Sequence, residues 1–407
     1  LKMPLMKKSL SPVEGGSWKR TLLILSVCQF IAMSGMSALV PFLPLFIREL
    51  GITDTNQTAV WSGLVFAGPF ITSFLVQPLW GTLGDRSGRK LMAVRALFGL
   101  ALAQLLIYFV PDVYWLMGIR LLQGTLSGFN VAAMSLITTI APKEKQGYSI
   151  SMLQSASNGG VVVGPVIGGL LSTIFGFRGV FLIVGIIIAI LAFVVIFFVE
   201  ESKNEKTMER EIRVRDNFKV LINNRILFGT AGLILLTSLG IAAVRPIFVL
   251  YVESFELSEA LSLALQAGAL YSILGIFSTV SSVYFSRIVD KISLKRILGL
   301  ASLGTGIMYC FHPFVQNIYW LIPVRIVLGL SYGIIVPVLF TQISKQASER
   351  NKGGLLALAT SSQTLGVIIG SVVSGKLVTL LGVRYPFLAV GLFFISLALI
   401  TPLFKKD

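Results

Sequence analysis

Residues 114–128 read YWLMGIRLLQGTLSG, and residues 319–333 read YWLIPVRIVLGLSYG. The two strings keep Tyr-Trp-Leu, one arginine and two glycines in register: Arg120, Gly124 and Gly128 against Arg325, Gly329 and Gly333. The same offset carries Asp85, Arg86 and Lys90 onto Asp290, Lys291 and Lys295, and Gly35 and Pro41 onto Gly240 and Pro246. With one residue inserted, Gly160 and Gly164 match Gly366 and Gly370, and Gly147 matches Gly353. Gly176-x-Arg178-x-x-Phe181-Leu182 likewise matches Gly382-x-Arg384-x-x-Phe387-Leu388. A chain of two like apolar halves predicts a transporter, because a pseudo-symmetric pair can rock about a site held between its members.

The composition around these strings is that of a membrane protein. Hydrophobic residues make up 55% of the 407 and charged residues 13%, and mean hydropathy is +0.85, far from an ordinary soluble domain. A span needs about 20 apolar residues to cross roughly 30 Å of hydrocarbon. Six such segments fall in the first half, at 21–46, 60–80, 91–110, 113–140, 148–175 and 179–199. Six fall in the second, at 226–252, 266–286, 297–315, 318–344, 353–380 and 385–404. The runs are continuous and do not alternate, which favours helices over a barrel. The expected fold is an all-α polytopic membrane protein with twelve transmembrane helices in two pseudo-symmetric six-helix bundles. Residues 1–20 read as a leader, 21–199 as the first bundle, 200–225 as a linker with some helical character, and 226–407 as the second bundle. The first apolar segment is too long, and lacks the small-residue cleavage site, for a removable signal peptide.

Most of the 34 lysines and arginines fall on one side of these spans, with Arg48, Arg178, Lys376 and Arg384 on the other. By the positive-inside rule both termini are expected in the cytoplasm, and the formal charge of +16 is a topology signal. No soluble basic domain suited to nucleic acid is present. Cys28 and Cys310 lie in expected spans and read as packing residues.

Between the second and third segments stands Gly81-x-x-Gly84-Asp85-Arg86-x-Gly88-Arg89-Lys90. Glycines permit a tight turn there. A carboxylate at Asp85 among Arg86, Arg89 and Lys90 suits a contact made in one conformation and released in another, although the cations also serve topology alone. The second copy keeps Asp290 but lacks the glycines. The fourth segment holds Arg120-x-x-Gln123-Gly124-x-x-Ser127-Gly128, and the fifth holds Gly160-x-x-x-Gly164-Pro165-x-x-Gly168-Gly169. Small residues at four-residue spacing let helices approach closely, and Gly164-Pro165 suits a bend that serves as a pivot; ordinary helix packing uses the same residues. The first segment adds Gly35-x5-Pro41-x-x-Pro44.

In this order the motifs resemble those of the major facilitator superfamily, and within it the twelve-helix drug:proton antiporter branch, over essentially the whole chain. Ser151 stands where the longer antiporter pattern has a glycine. The resemblance implies proton-driven export of drug-like molecules by alternating access, by a monomer in the bacterial inner (cytoplasmic) membrane. Its implied partners are a small-molecule substrate and the lipid bilayer, with no cofactor beyond the proton gradient.

The charges complicate that expectation. None of the 18 acidic residues falls deep in an expected span, so no membrane carboxylate is offered to alternate between a proton and a cationic drug. The membrane instead receives Arg120, Arg245 and Arg325, each costly there. Counting about 1.5 Å per residue from the outer helix ends puts them at a similar depth, where they are expected to share one locus. Arg120 and Arg325 suit either proton coupling or a structural bond to backbone carbonyls. Arg245 has no counterpart, since Val40 holds the matching place. It suits an anionic or zwitterionic group of the substrate, or a pairing with Glu253 two turns onward. Asp112, two turns from Arg120, is the candidate proton carrier. The adaptable wall that a drug-like ligand needs is expected from Gln29, Met33, Met36, Asn130, Tyr271 and Tyr332, with Gln154, Asn158 and Gln363 from flanking helices. Each of these serves packing equally well.

An enzyme is not expected. The chain has one histidine, His312, no metal-ligand cluster, no nucleophile beside a base and no phosphate loop with its lysine. Three functions stay open: a proton-coupled exporter of amphipathic drugs, an exporter of a specific anionic metabolite such as a carboxylate siderophore or lipid-like acid, and a membrane receptor or scaffold without transport.

Overall fold

A computed structural model of the chain describes residues 17–200, 214–255, 261–286, 293–348 and 351–400. The first half folds as α1 (Ser17–Ala38), α2 (Leu43–Glu49), α3 (Thr55–Ser87), α4 (Arg89–Tyr108), α5 (Val113–Leu126), α6 (Phe129–Ile140) and α7 (Gln146–Phe198). After α8 (Val214–Asn223) the second half folds as α9 (Arg225–Val244), α10 (Phe248–Glu253), α11 (Leu263–Ser286), α12 (Leu294–Phe311), α13 (Leu321–Gln346), α14 (Lys352–Leu381) and α15 (Pro386–Ile400). There is no strand among the described residues.

Nine of these helices are long and apolar enough to cross a membrane, and Pro386–Leu399 is a shorter apolar helix. The twelve segments read from the sequence map onto α1–α7 and α9–α15, interrupted or divided at five residues. Pro41 interrupts the first segment between α1 and α2, and Pro246 interrupts its repeat between α9 and α10. Proline has no N–H to donate, and its ring crowds the carbonyl four residues back. Gly176, at φ 70°, divides α7 into two spans, as Gly382, at φ 73°, divides α14 from α15; a Cβ disfavours such a backbone. The fourth segment breaks between α5 and α6 at Gly128 (φ 115°), whereas its repeat α13 runs unbroken.

The end of the bundle where α1 begins is its proximal face, and the opposite end is its distal face. The buried apolar side chains form one large cluster in each half. Tyr114, Trp115, Tyr319 and Trp320, the opening residues of the repeated string, are exposed at the distal face, where amphipathic rings suit a membrane–water boundary.

The halves meet along two related seams, α3 against α14 and α7 against α11. A methyl group on Gly63 would collide with the Ser371 carbonyl, and one on Gly268 with the Pro165 carbonyl. A methyl on Gly375 would strike Val60, and one on Gly169 would strike Ala264 and Leu265. Lipid gives helices no hydrophobic reason to associate, so backbone contact permitted by small residues is the main source of cohesion. All four collisions lie in the distal parts of their helices. A small apolar plug of Ala59, Ile247, Leu250 and Val378 closes the same end.

Candidate functional site

Pro246 sets the position of the site. Helix α9 ends at Val244, Arg245 is its C-cap, and α10 restarts at Phe248. The break frees backbone carbonyls in mid-membrane, and the Arg245 carbonyl accepts a hydrogen bond from the Tyr271 hydroxyl. The Arg245 side chain is half-buried and lines a solvent-connected cavity of about 660 Å³, open solvent included. Ser37, Val40, Val161 and Pro165 of the first half form one wall. Ile241, Val244, Phe248, Tyr271, Leu274, Gly275, Tyr309, Arg325 and Tyr332 of the second complete it. No aspartate or glutamate is among the lining residues.

The electrostatics follow from what each arginine touches. Arg325 is 3% exposed; its guanidinium carbon lies 3.5 Å from the centre of the Phe248 ring and 5.8 Å from that of Tyr271. Its Nε has no hydrogen-bond partner among the described residues. Arg120 holds the same place in the first half and is bound internally. Its Nε donates to the Val65 carbonyl at 3.3 Å, and its Nη1 donates to Gln123 Oε1 at 2.5 Å. Leu328 stands where Gln123 would be repeated, so Arg325 has no such acceptor. The three arginines therefore do not share one locus: Arg245 and Arg325 face the cavity, and Arg120 faces α3.

Arg245 does not pair with Glu253. Glu253 Oε1 receives Arg48 Nη1 at 2.5 Å, and Arg245 has no ion pair among the described residues. Arg48 and Glu253 are 205 residues apart, so each occupies the same position in its half, and the bond spans the pseudo-two-fold relation. Beside it Arg178 Nε donates to Glu49 Oε1 at 3.0 Å, and Arg178 Nη1 donates to the Tyr108 and Val110 carbonyls. Arg384 makes the related contact to Ser254, through the hydroxyl and the carbonyl. Further links between the halves run from Thr173 Oγ1 to Ser262 Oγ (2.6 Å) and from Ser272 Oγ to the Val162 carbonyl (2.5 Å).

The remaining expected residues scatter. Pro165, Tyr271 and Tyr332 join Arg245 in the cavity lining. Helix α7 passes Pro165 with helical dihedrals, Gly176 being its one non-helical residue. Gly164 packs so tightly on α1 that a methyl there would strike Ser34 and Ser37. Asp112 is the N-cap of α5, accepting from the Tyr114 and Trp115 amides, and at the matching place Asn317 accepts from the Tyr319 amide. Gln29 is 1% exposed with both amide atoms unpartnered. Met36 packs in the first core, and Met33, Asn130 and Gln363 are half-buried. Gln154 and Asn158 are exposed and bonded to each other at 3.3 Å. None of these seven lines the cavity. Phe248 and Tyr309 do, and sequence reasoning passed over both; Phe248 carried a signal in following Arg245 by three residues, and Tyr309 carried none.

In the motif loop Gly88, at φ 101°, turns the chain from α3 into α4. Arg89 donates to the Ser135 carbonyl at 2.9 Å and Lys90 to the Ile196 carbonyl at 2.7 Å. The side chains of Asp85 and Arg86, and the whole of Asp290, lie outside the described residues.

The family model of the Major Facilitator Superfamily matches residues 25–293 and 263–407. A multi-drug resistance efflux pump PmrA homolog of Lactococcus lactis is 33% identical over 93% of this chain and 93% of its own. The multidrug resistance protein MdtG of Proteus mirabilis is 30% identical over 92% of this chain and 93% of its own. Among solved structures, a bacterial homolog of the human lysosomal transporter Spinster superposes with a TM-score of 0.80 at 12% identity, covering 95% of this chain and 96% of that one. The nucleoside transporter NupG does so with a TM-score of 0.77 at 14% identity, covering 95% and 100%. At such identities these two structures speak for the fold alone.

Proposed function

The chain belongs to the Major Facilitator Superfamily and is a multi-pass membrane transporter, and we propose that it exports drug-like amphipathic molecules in exchange for protons by alternating access. The observation that carries this reading is a cavity between two like halves, sealed at the distal face by the glycine seams, the apolar plug and the Arg48–Glu253 bond. In the orientation set by the basic residues, proximal is cytoplasmic. The cavity then loads from the inside, and discharge requires the distal seal to part while the other face closes. The multidrug names of the two relatives support the substrate class. No phosphate loop occurs in the sequence, so the energy comes from an ion gradient. The turn at Gly88, with Asp85, Arg86 and Arg89 around it and Asp290 in the repeat, is the conformational latch in this scheme, and Arg120 holds the coupling helix in place. Proteoliposomes with an internal pH dye test the reading: imposed gradients of several unrelated amphipaths should each move protons. Silence for every compound, from protein shown to be folded, overturns it.

A further inference from the structure

Arg245 and Arg325 line one cavity, and neither has an ion-pair partner among the described residues. Arg325 is nine-tenths buried, held on the Phe248 face, with its Nε unbonded. Tyr271 stands between them, its hydroxyl on the Arg245 carbonyl and its ring 5.8 Å from the Arg325 guanidinium. Tyr309 and Tyr332 complete this wall, and neither hydroxyl has a partner among the described residues. A cation entering such a space meets two like charges and no carboxylate. An oxyanion meets two guanidiniums, whose forked N–H groups suit carboxylate and phosphate oxygens. The first half serves as an internal control, because its own arginine is satisfied by Val65 and Gln123 and the partner of Arg245 is Val40.

We infer that the second half carries an anion-headgroup subsite formed by Arg245 and Arg325, and that the preferred substrate is an amphipathic organic acid or zwitterion with an aromatic or aliphatic body. The head binds the guanidiniums, and the body lies on Phe248, Val161, Ile241 and Leu274. This inference rests on the transporter reading, yet it is tested by binding alone.

Three probes share one fluorescent body: dansylglycine, an anion; dansylglycinamide, neutral; and dansylcadaverine, a cation. Titrated into purified full-length protein, dansylglycine should bind about tenfold more tightly than either of the others. Arg245→Ala should remove most of that preference and leave dansylglycinamide unchanged, and Arg245→Lys should restore much of it. Arg325→Lys, which keeps the charge but loses the fork, covers the case in which Arg325→Ala fails to fold. Equal binding of acid and amide, tighter binding of the cation, or a uniform loss of all three probes in Arg245→Ala overturns the subsite. Selective binding of the acid with no gradient-driven movement of any compound would sink the transporter reading and uphold the subsite. Proton-coupled export of dansylcadaverine without acid-selective binding would do the reverse.

Discussion

In the first half Arg120, Arg95 and Arg178 each reach an acceptor, although Arg95 leaves its Nε and Nη1 unpartnered among the described residues and its guanidinium carbon lies 3.5 Å from the centre of the Trp80 ring. Arg120 bonds to Val65 and Gln123, Arg95 reaches the Ser127 carbonyl that the break between α5 and α6 exposes, and Arg178 holds Glu49. In the second half the same positions hold Leu328 for Gln123, Leu300 for Arg95 and Ser254 for Glu49. Arg325 accordingly lies on an aromatic face and Arg384 on a serine, while Arg245 appears where the first half has Val40. The glycine seams, in contrast, are the same on both sides of the molecule. One template has been kept symmetric where the halves must slide on each other and made asymmetric where charge meets the cavity. The lesson is that backbone approach and charge placement answer to different constraints in one repeat.

The largest expected effect tests the symmetric part. Gly63→Val and Gly268→Val each force a side chain into a carbonyl of the opposite half, and overpacking of this kind costs about 1–3 kcal/mol. Each should prise the distal seal apart and cut export about tenfold or more. A Leu250→Cys reporter in the plug should then react with a membrane-impermeant maleimide from outside. If only one of the two glycines matters, the seams are not equivalent.

Next comes the asymmetry of the buried arginines. Arg120→Ala leaves Gln123 buried without its partner and should lower stability in detergent by about 1–3 kcal/mol. Arg325→Ala loses chiefly a cation–aromatic contact, at about 0.5–2 kcal/mol, and its main consequence should be in ligand binding. Leu328→Gln would sharpen the contrast by giving Arg325 the acceptor that Arg120 has; dansylglycine should then bind more weakly at near-normal stability. Equal stability losses in the two alanine variants, with ligand binding untouched in both, would erase the distinction.

The smallest effect belongs to the pair that joins the halves. The side chains of Arg48 and Glu253 are 25% and 36% exposed, so their bond is worth about 0.2–1 kcal/mol. Glu253→Arg should raise external labelling of Leu250→Cys about twofold to fivefold, and adding Arg48→Glu should return it to baseline. Labelling that ignores both changes would assign the seal to the glycines and plug alone.

Much of the fold was legible in advance because its causes are local. Apolar runs of span length state where the helices run, and the boundaries expected beside Gly176 and Gly382 are where the chain turns; the expected segments 21–46, 113–140 and 226–252 run straight through Pro41, Gly128 and Pro246, where the structure breaks them. The site was legible only in part. The cost of a charge in lipid singled out Arg245 and Arg325, but helix depth alone also grouped Arg120 with them. The depth was similar; the helix face was not. Glu253 looked like a partner for Arg245 because both lie on one short stretch, yet its carboxylate turns to Arg48 in the other half.

By itself the sequence determined the membrane class, the two-fold repeat and the apolar helical segments, since each depends on the hydropathy of neighbours along the chain. Only the tertiary structure decided which arginines are satisfied and which face the cavity, and that Arg48 meets Glu253. Those outcomes depend on which helix faces are pressed together, and a few glycine contacts between distant segments settle that geometry.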